Sequence, residues 1–84
     1  SVDPPGFQVS PNPFHSSVSL DLDAQKFPDA AALRLSIFNS DGVRLYNGSF
    51  IRNPDLKNYS PGVYYLMLTD KTCAKSFVRR VIKQ

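Results

Sequence analysis

The stretch Ser60-Pro61-Gly62-Val63-Tyr64-Tyr65-Leu66-Met67-Leu68-Thr69 decides the fold of this chain. Pro61 and Gly62 end the segment before it, because proline fixes φ and glycine adopts backbone angles that other residues avoid. The β-branched and aromatic residues that follow suit a pleated, half-buried surface. Residues 63–69 are therefore predicted to form a central strand that is apolar on both faces. If Tyr64, Leu66 and Leu68 share the inward face, Val63, Tyr65 and Met67 point the other way.

Short segments of alternating polarity surround this strand. Apolar and polar residues alternate at residues 7–10, 17–22 and 33–38, which is typical of strands that are buried on one face. Asn39-Ser40-Asp41-Gly42 ends in the Asp-Gly pair that hairpin turns favour. Residues 43–46 are therefore predicted to return as the partner strand of residues 33–38.

The region between this hairpin and Pro61 predicts a second turn and a loop. Asn47-Gly48 is the turn signal, and a short strand is expected to follow it at residues 49–51. The polar residues 52–60 predict a loop, with Leu56 and Tyr59 as the apolar anchors beneath it.

The C-terminal residues predict one more hairpin. Asp70-Lys71-Thr72 is expected to be its turn, and residues 74–83 its second strand. Apolar side chains fall on both faces of that strand, so we expect a bulge near Arg79-Arg80 to bring them onto one face.

Together these segments predict an all-β fold. About seven short strands, with turn signals every roughly eight to twelve residues, are typical of an Ig-like antiparallel β-sandwich. The tryptophan and the cysteine pair of antibody domains are missing. We expect a linker at residues 1–6, where prolines and glycine cluster, and one domain at residues 7–84. Because the chain begins with Ser1, we expect it to be a piece of a longer protein.

Pro11-Asn12-Pro13-Phe14 fits neither a helix nor a strand ladder. The two prolines fix the backbone and remove two N–H donors, and Asn12 is driven to an extended conformation by Pro13. Two interpretations are open, namely a rigid corner that delivers Phe14 into the core and an ordinary proline-rich loop.

The net charge of +3 is distributed unevenly. Residues 71–84 carry five basic and no acidic side chains, whereas residues 1–70 carry five basic and seven acidic ones. A basic strip can bind nucleic acid or anionic lipid. Lysine and arginine also protect edge strands against aggregation. The second interpretation is favoured, because the basic residues alternate with apolar ones and no nucleic-acid-binding motif is present. We expect no nucleic-acid partner.

The sequence contains no recognisable catalytic or metal-binding constellation. His15 is the only histidine, and a solvated loop position is the favoured interpretation. Asp21 and Asp23 lack the remainder of a calcium-binding loop. The single Cys73 excludes an internal disulfide, although its oxidation on an exposed turn would give weak dimerisation. We expect a non-enzymatic domain with no cofactor and no bound metal.

Three of these motifs occur in a known order and spacing. Pro11-Asn12-Pro13-Phe14 comes near the start, Asn39-Ser40-Asp41-Gly42 after the middle strand, and Gly62-Val63-Tyr64-Tyr65-Leu66 before a basic C-terminal strand. With this set the chain resembles the type A C-terminal sorting domain of the type IX secretion system of Bacteroidetes, over residues 7–84. It departs from that pattern at Ser60, where a leucine is common, and at Cys73.

The resemblance implies a non-catalytic sorting signal on an exported cargo protein. Family members are Ig-like sandwiches at the C-terminus of secreted proteases, glycosidases and adhesins. The implied route crosses the periplasm to the outer membrane, where a shuttle protein receives the signal and a sortase-like protease cleaves upstream of it. The cargo then stays at the cell surface or is released. Cleavage is expected at or before residues 1–6, where an extended backbone suits a protease.

The predicted recognition surface is the folded terminal hairpin. Its predicted residues are Gly62, Tyr64, Arg79, Arg80 and Lys83. Structural roles are expected for Pro11, Asn12, Pro13 and Phe14 and for the turn residues Asp41 and Gly42.

Two other functions share this architecture. A carbohydrate-binding or fibronectin-like accessory module of a secreted enzyme would stack sugar on Tyr46 or Tyr65. An adhesin or self-assembly module would add strands at an exposed edge.

Overall fold

Six strands and one short helix follow one another in the part of the chain that the structure describes. The computed structural model describes residues 7–23, 25, 27, 29–72 and 75–84. The strands are β1 (Phe7–Ser10), β2 (Ser19–Leu22), β3 (Leu33–Asn39), β4 (Arg44–Ser49), β5 (Gly62–Asp70) and β6 (Lys75–Lys83), and a 3₁₀ helix spans Ala30–Ala32. The predicted linker at residues 1–6 and Cys73 lie outside the described residues.

The strands form two antiparallel sheets. β1 pairs with β2, and the larger sheet has the order β4-β3-β5-β6. Apolar side chains from both sheets share one buried cluster. The predicted all-β sandwich is therefore confirmed, with six described strands where about seven were predicted.

β5 is the inner strand that the sequence predicts. It pairs with β3 on one side and with β6 on the other. Its side chains alternate as predicted, with Tyr64, Leu66 and Leu68 buried and the intervening residues half-buried or exposed. β5 is nine residues long and has a paired strand on each side, so its buried face lies at the centre of the core.

The core lies between the inner face of the larger sheet and the β1–β2 layer with its loops. Its buried apolar residues are Phe7, Phe14, Val18, Leu20, Phe27, Leu33, Leu35, Ile37, Leu56, Tyr64, Leu66, Leu68 and Val81. Fully burying one such side chain contributes about 1.5–3 kcal/mol. The sequence alternation correctly predicted which residues of β2, β3 and β5 face this cluster.

The hairpin between β3 and β4 turns at Asn39-Ser40-Asp41-Gly42, as predicted. The Asn39 carboxamide oxygen accepts hydrogen bonds from the N–H groups of Asp41 at 2.9 Å and Val43 at 3.0 Å. Gly42 has φ of +83°, which is the left-handed region that favours glycine. The Asp41-Gly42 pair therefore has the structural role that the sequence predicts.

The predicted second turn at Asn47-Gly48 is wrong, and so is the short strand at residues 49–51. Both turn residues lie inside β4, where Asn47 pairs with Ser36 and Gly48 pairs with Leu35. The Asn47 carboxamide oxygen accepts a hydrogen bond from the Ser36 hydroxyl at 3.3 Å. Pairing along the whole of β3 outweighs the local turn preference of the dipeptide.

The predicted bulge in the last strand is also wrong. β6 pairs with β5 in an unbroken register from Lys75 to Lys83. Regular alternation consequently leaves Val78 and Ile82 on the outer face of the sheet and places Arg79 and Lys83 on the core side. The structure accommodates these two cations by giving each a polar partner, as described below.

Candidate functional site

β5, the turn after it and β6 form the terminal hairpin (residues 62–83), whose register spans nine residue pairs. The buried Asp70 closes the turn, because its carboxylate accepts hydrogen bonds from the Thr72 N–H at 2.9 Å and the Thr72 hydroxyl at 2.6 Å. The Lys71 N–H donates to the Ala32 carbonyl at 3.0 Å. The turn is thereby fixed both internally and to the beginning of β3.

The corner at residues 11–14 lies along the outer edge of β6. The Asn12 side chain spans two residues of that edge, since its amide nitrogen donates to the Arg80 carbonyl at 3.3 Å and its oxygen accepts from the Ile82 N–H at 3.0 Å. One carboxamide thus replaces the backbone of a neighbouring strand. We call this pair of hydrogen bonds the Asn12 clamp.

Phe14 continues the same edge contact through its backbone. Its N–H donates to the Ile82 carbonyl at 2.9 Å, and its carbonyl accepts from the Gln84 N–H at 2.8 Å. The Phe14 ring is fully buried. The Phe14 ring thus enters the core, as the corner interpretation of the proline motif predicts. The sequence predicted the buried ring, whereas the Asn12 clamp was missed, because no sequence signal indicates which edge an asparagine side chain will meet.

Lys83 lies on the core side of β6 and is buried. Its ammonium donates hydrogen bonds to the carbonyls of Leu56 at 2.7 Å and Lys57 at 2.9 Å, and also to the carbonyl of Tyr59. A buried ammonium is costly unless its three donors are satisfied, and here all three are. Lys83 therefore attaches the end of β6 to the loop that precedes β5.

Tyr64 and Gly62 shape the beginning of β5. The buried Tyr64 ring stacks on Tyr59 with centroids 5.7 Å apart, and its hydroxyl donates to the Ser60 carbonyl. Gly62 is exposed and has φ of +150°, which side chains rarely adopt. The Pro61-Gly62 signal in the sequence thus marks a backbone conformation that requires glycine.

Arg79 and Arg80 point to opposite sides of the sheet. Arg79 is half-buried on the core side, where its guanidinium donates to the side-chain oxygen of Gln8 in β1. Arg80 is exposed on the outer face, opposite Tyr65 of β5. Adjacent basic residues therefore differ in what they can contact.

The five predicted recognition residues lie on one hairpin but in three different environments. Gly62 and Arg80 are exposed, Arg79 is half-buried, and Tyr64 and Lys83 are buried. Tyr64 and Lys83 both contact the loop at residues 56–60. Direct contact with a partner is thus open to the exposed residues, while the buried pair holds the hairpin in position.

The outer face of the larger sheet, opposite the core, is partly apolar and basic. Arg44 lies 5.6 Å from the ring centroid of Phe38. The apolar side chains exposed on this face of β5 and β6 are Tyr65, Val78 and Ile82. Strand alternation also places the guanidinium groups of Arg34 and Arg80 there.

A cavity of about 380 Å³ lies on the core side of the larger sheet, beside the loop at residues 51–59. Its lining is mostly apolar and includes Ile37, Tyr46, Ile51 and Tyr59. Tyr65 lies on the opposite face, because it pairs with Phe38 whereas Tyr46 pairs with Ile37. The two tyrosines proposed for sugar stacking therefore cannot act on one sugar.

The described residues contain no group of three or more potential metal ligands. His15 is exposed. Across the described part of the chain, none of the helices has the length and apolar character of a membrane span.

The chain matches the model of a known protein family. A family model for the secretion system C-terminal sorting domain matches residues 8–84, which is all but the first seven residues of the chain. No curated protein and no solved structure matches the chain significantly.

Proposed function

Because the chain belongs to the family of C-terminal sorting domains of type IX secretion, we propose that it directs a cargo domain upstream of it across the outer membrane and is then cleaved from that cargo. Membership in the family itself identifies a sorting signal, a protein exported to the cell surface or beyond, and an interaction with the secretion machinery. The cargo, the cleavage and the individual partners are the proposed part.

Two partners follow from this proposal. An outer-membrane shuttle protein receives the folded domain, and a sortase-like protease cleaves at or before residues 1–6. The composition of this segment supports the second step, because Pro4-Pro5-Gly6 disfavours regular structure and an extended backbone fits a protease cleft.

The observation that carries the proposal is the way in which the terminal hairpin is held. The Asn12 clamp and Phe14 hold its edge, and Lys83 attaches its last residues to the loop before β5. A strand close to a chain end commonly frays unless it is tied down. Here the basic end of the chain is presented in one fixed arrangement, which is what recognition of a folded signal requires.

Within this hairpin the five recognition residues have two roles in the proposal. Gly62, Arg79 and Arg80 supply the surface that the shuttle protein contacts. Tyr64 and Lys83 preserve that surface by packing and by hydrogen bonds to residues 56–60.

The test is export of a reporter fused to residues 1–84 in a bacterium that has a type IX system. We expect Arg80→Glu to reduce export strongly and Lys57→Glu, which reverses another exposed charge that lies outside the hairpin, to leave export unchanged. Thermal unfolding of both purified domains controls for folding. A reporter that is not exported with the unaltered domain would refute the sorting function. Equal export of both variants would refute recognition through the hairpin.

Deleting residues 78–84 is a coarser version of the same test. The deletion also removes the buried Val81 and Lys83, so a loss of export is informative only if the shortened domain remains folded. Retained export by a folded, shortened domain would contradict the proposal.

A further inference from the structure

The outer edge of β6 is divided into a closed half and an open half. At the C-terminal half, the Asn12 clamp and Phe14 occupy the Arg80 carbonyl, both outward groups of Ile82 and the Gln84 N–H, whereas the outward Arg80 N–H stays open. Ile82 therefore directs its N–H and C=O away from β5. Because these groups alternate in direction along an antiparallel strand, Ser76 and Val78 direct theirs outward as well.

The open half comprises residues 76–80. Within the described part of the chain, no strand lies beyond β6 and no outward backbone hydrogen bond forms at Ser76 or Val78. β1 belongs to the other sheet, and its Gln8 side chain accepts a hydrogen bond from Arg79. The side chains of Ser76, Val78 and Arg80 are exposed, and that of Val78 is 51% exposed.

This open half has the features of a site for strand addition. Outward N–H and C=O groups supply main-chain hydrogen bonds, and alternate side chains supply selectivity. Lipid headgroups and nucleic-acid phosphates would use the positive charge but could not use the alternation of backbone donors and acceptors. The exposed Val78 and Tyr65 offer the adjoining apolar surface.

The positive charge of β6 determines which kind of strand can be added to its edge. β6 contains four basic residues and no acidic one, and Arg80 flanks the open half directly. Like charges placed opposite each other on neighbouring strands are destabilising, and opposite charges are stabilising. A second copy of β6 would bring four more cations alongside, whereas a strand with carboxylates would neutralise them.

We infer that residues 76–80 of β6 bind an extended, acidic segment of the secretion machinery as an added β-strand. This inference rests on the proposed sorting function and specifies how the hairpin is read. The added strand continues the larger sheet in the order β4-β3-β5-β6-partner, and its carboxylates lie beside Arg80 and Arg79.

Binding is tested with the full chain and two capped synthetic peptides of about eight residues, a usual strand length. One peptide alternates glutamate with valine, and the other alternates lysine with valine. NMR titration is expected to shift the amides of residues 76–80 with the acidic peptide only. Arg80→Glu is expected to weaken binding of the acidic peptide by about three- to tenfold, as for the loss and reversal of one exposed ion pair. Equal binding of both peptides, or shifts elsewhere in the domain, would overturn the inference.

Val78→Pro tests the backbone contact. The outward N–H at this position does not pair with β5, and proline is tolerated at such edge positions. We expect Val78→Pro to keep the fold, to abolish peptide binding and to abolish export of the fused reporter. Val78→Thr keeps the N–H and a β-branched side chain but loses apolar surface, so it is expected to weaken peptide binding less than Val78→Pro does; equal losses in the two variants would overturn the backbone contact. A circular dichroism melt of each variant confirms folding.

The outcomes separate this inference from the sorting function. If the unaltered domain and a folded Val78→Pro variant both direct export equally well, strand addition is overturned and the sorting function stands. Failure of the unaltered domain to direct export would overturn both. Sedimentation that shows a dimer of the unaltered chain, abolished by Val78→Pro, would assign the edge to a second copy and overturn the acidic partner.

Discussion

Replacing Asn12 by alanine removes both hydrogen bonds of the Asn12 clamp without removing any core atom. A neutral hydrogen bond contributes about 0.5–1.5 kcal/mol net. The bond to the Arg80 carbonyl is long at 3.3 Å and the site is exposed, so its contribution falls at the low end. The bond from the Ile82 N–H at 3.0 Å is better. We therefore expect a loss of about 1.5 kcal/mol in the free energy of unfolding.

For a domain of this size that loss corresponds to a fall in Tm of roughly 6–12 °C. Urea unfolding followed by circular dichroism measures the free energy, and amide hydrogen exchange measures local opening. The Ile82 amide should lose protection more than the β5 amides, because it loses its own acceptor. Asn58→Ala is the matched control, since Asn58 is exposed and its side chain bonds to no described residue. Equal stability of the two variants, or unchanged protection of Ile82, would refute the clamp.

Three further substitutions test the packing around the hairpin, each by thermal unfolding of the purified chain. Gly62→Ala should lower the free energy of unfolding by about 1–2 kcal/mol because of the φ of +150°, although there is open space around this residue. A semisynthetic chain with D-alanine at this position should keep its stability, and an L-alanine variant of unchanged stability would contradict the backbone argument. Lys83→Met should lower the free energy of unfolding by about 2–3 kcal/mol, because three carbonyls lose their donor. Lys57→Met, at an exposed position, should change it by less than about 0.5 kcal/mol, and equal effects of the two substitutions would contradict the structural role of Lys83. Gly48→Ala would place a Cβ 2.7 Å from the Tyr46 hydroxyl and should lower the free energy of unfolding by about 1–2 kcal/mol. The loss should be smaller in a chain that also carries Tyr46→Phe, and strictly additive effects of the two substitutions would exclude this contact.

Local sequence pattern predicted the elements whose side chains alternate cleanly. β3 has apolar residues at every second position and a strong turn signal after it, so its inward face could be read directly, whereas β5 is apolar on both faces and only its central place in the sheet was predicted. The turn at Asp41-Gly42 was predictable for the same reason, because its chemistry is contained in four consecutive residues.

Asn47-Gly48 shows where local pattern is insufficient. The dipeptide favours a turn, yet Gly48 lies within the edge strand β4, where it pairs with Leu35 and is close to the Tyr46 ring. There glycine is required by the close approach of the ring and not by a turn. The pairing of Asn47 and Gly48 with Ser36 and Leu35 of β3 decided the outcome, and no window of neighbouring residues contains those partners.

The basic residues of β6 show the same limit for the candidate site. The sequence predicted one positively charged surface, but the unbroken register sends Arg79 and Lys83 toward the core and Arg80 outward. The partner of Arg79 is 71 positions away, and the carbonyls bound by Lys83 are 24 to 27 positions away. Charge and spacing predicted a basic strand, and only the fold distinguishes the exposed Arg80 from the half-buried Arg79 and the buried Lys83.

These long separations bear on what a secretion machine can detect. In an unfolded chain, β6 lacks the Asn12 clamp, since Asn12 and Ile82 are 70 positions apart in sequence. Both halves of its edge are then open, and Lys83 is released from the loop at residues 56–59. In the folded domain, residues 76–80 are the part of the described β6 edge that stays open, and Arg80 lies at the end of it. A partner that adds a strand to this short edge therefore binds the folded domain in a fixed register, because its segment cannot extend past the corner formed by residues 11–14. Recognition of such an edge would couple export to correct folding of the whole domain, although the partner contacts only five residues of it.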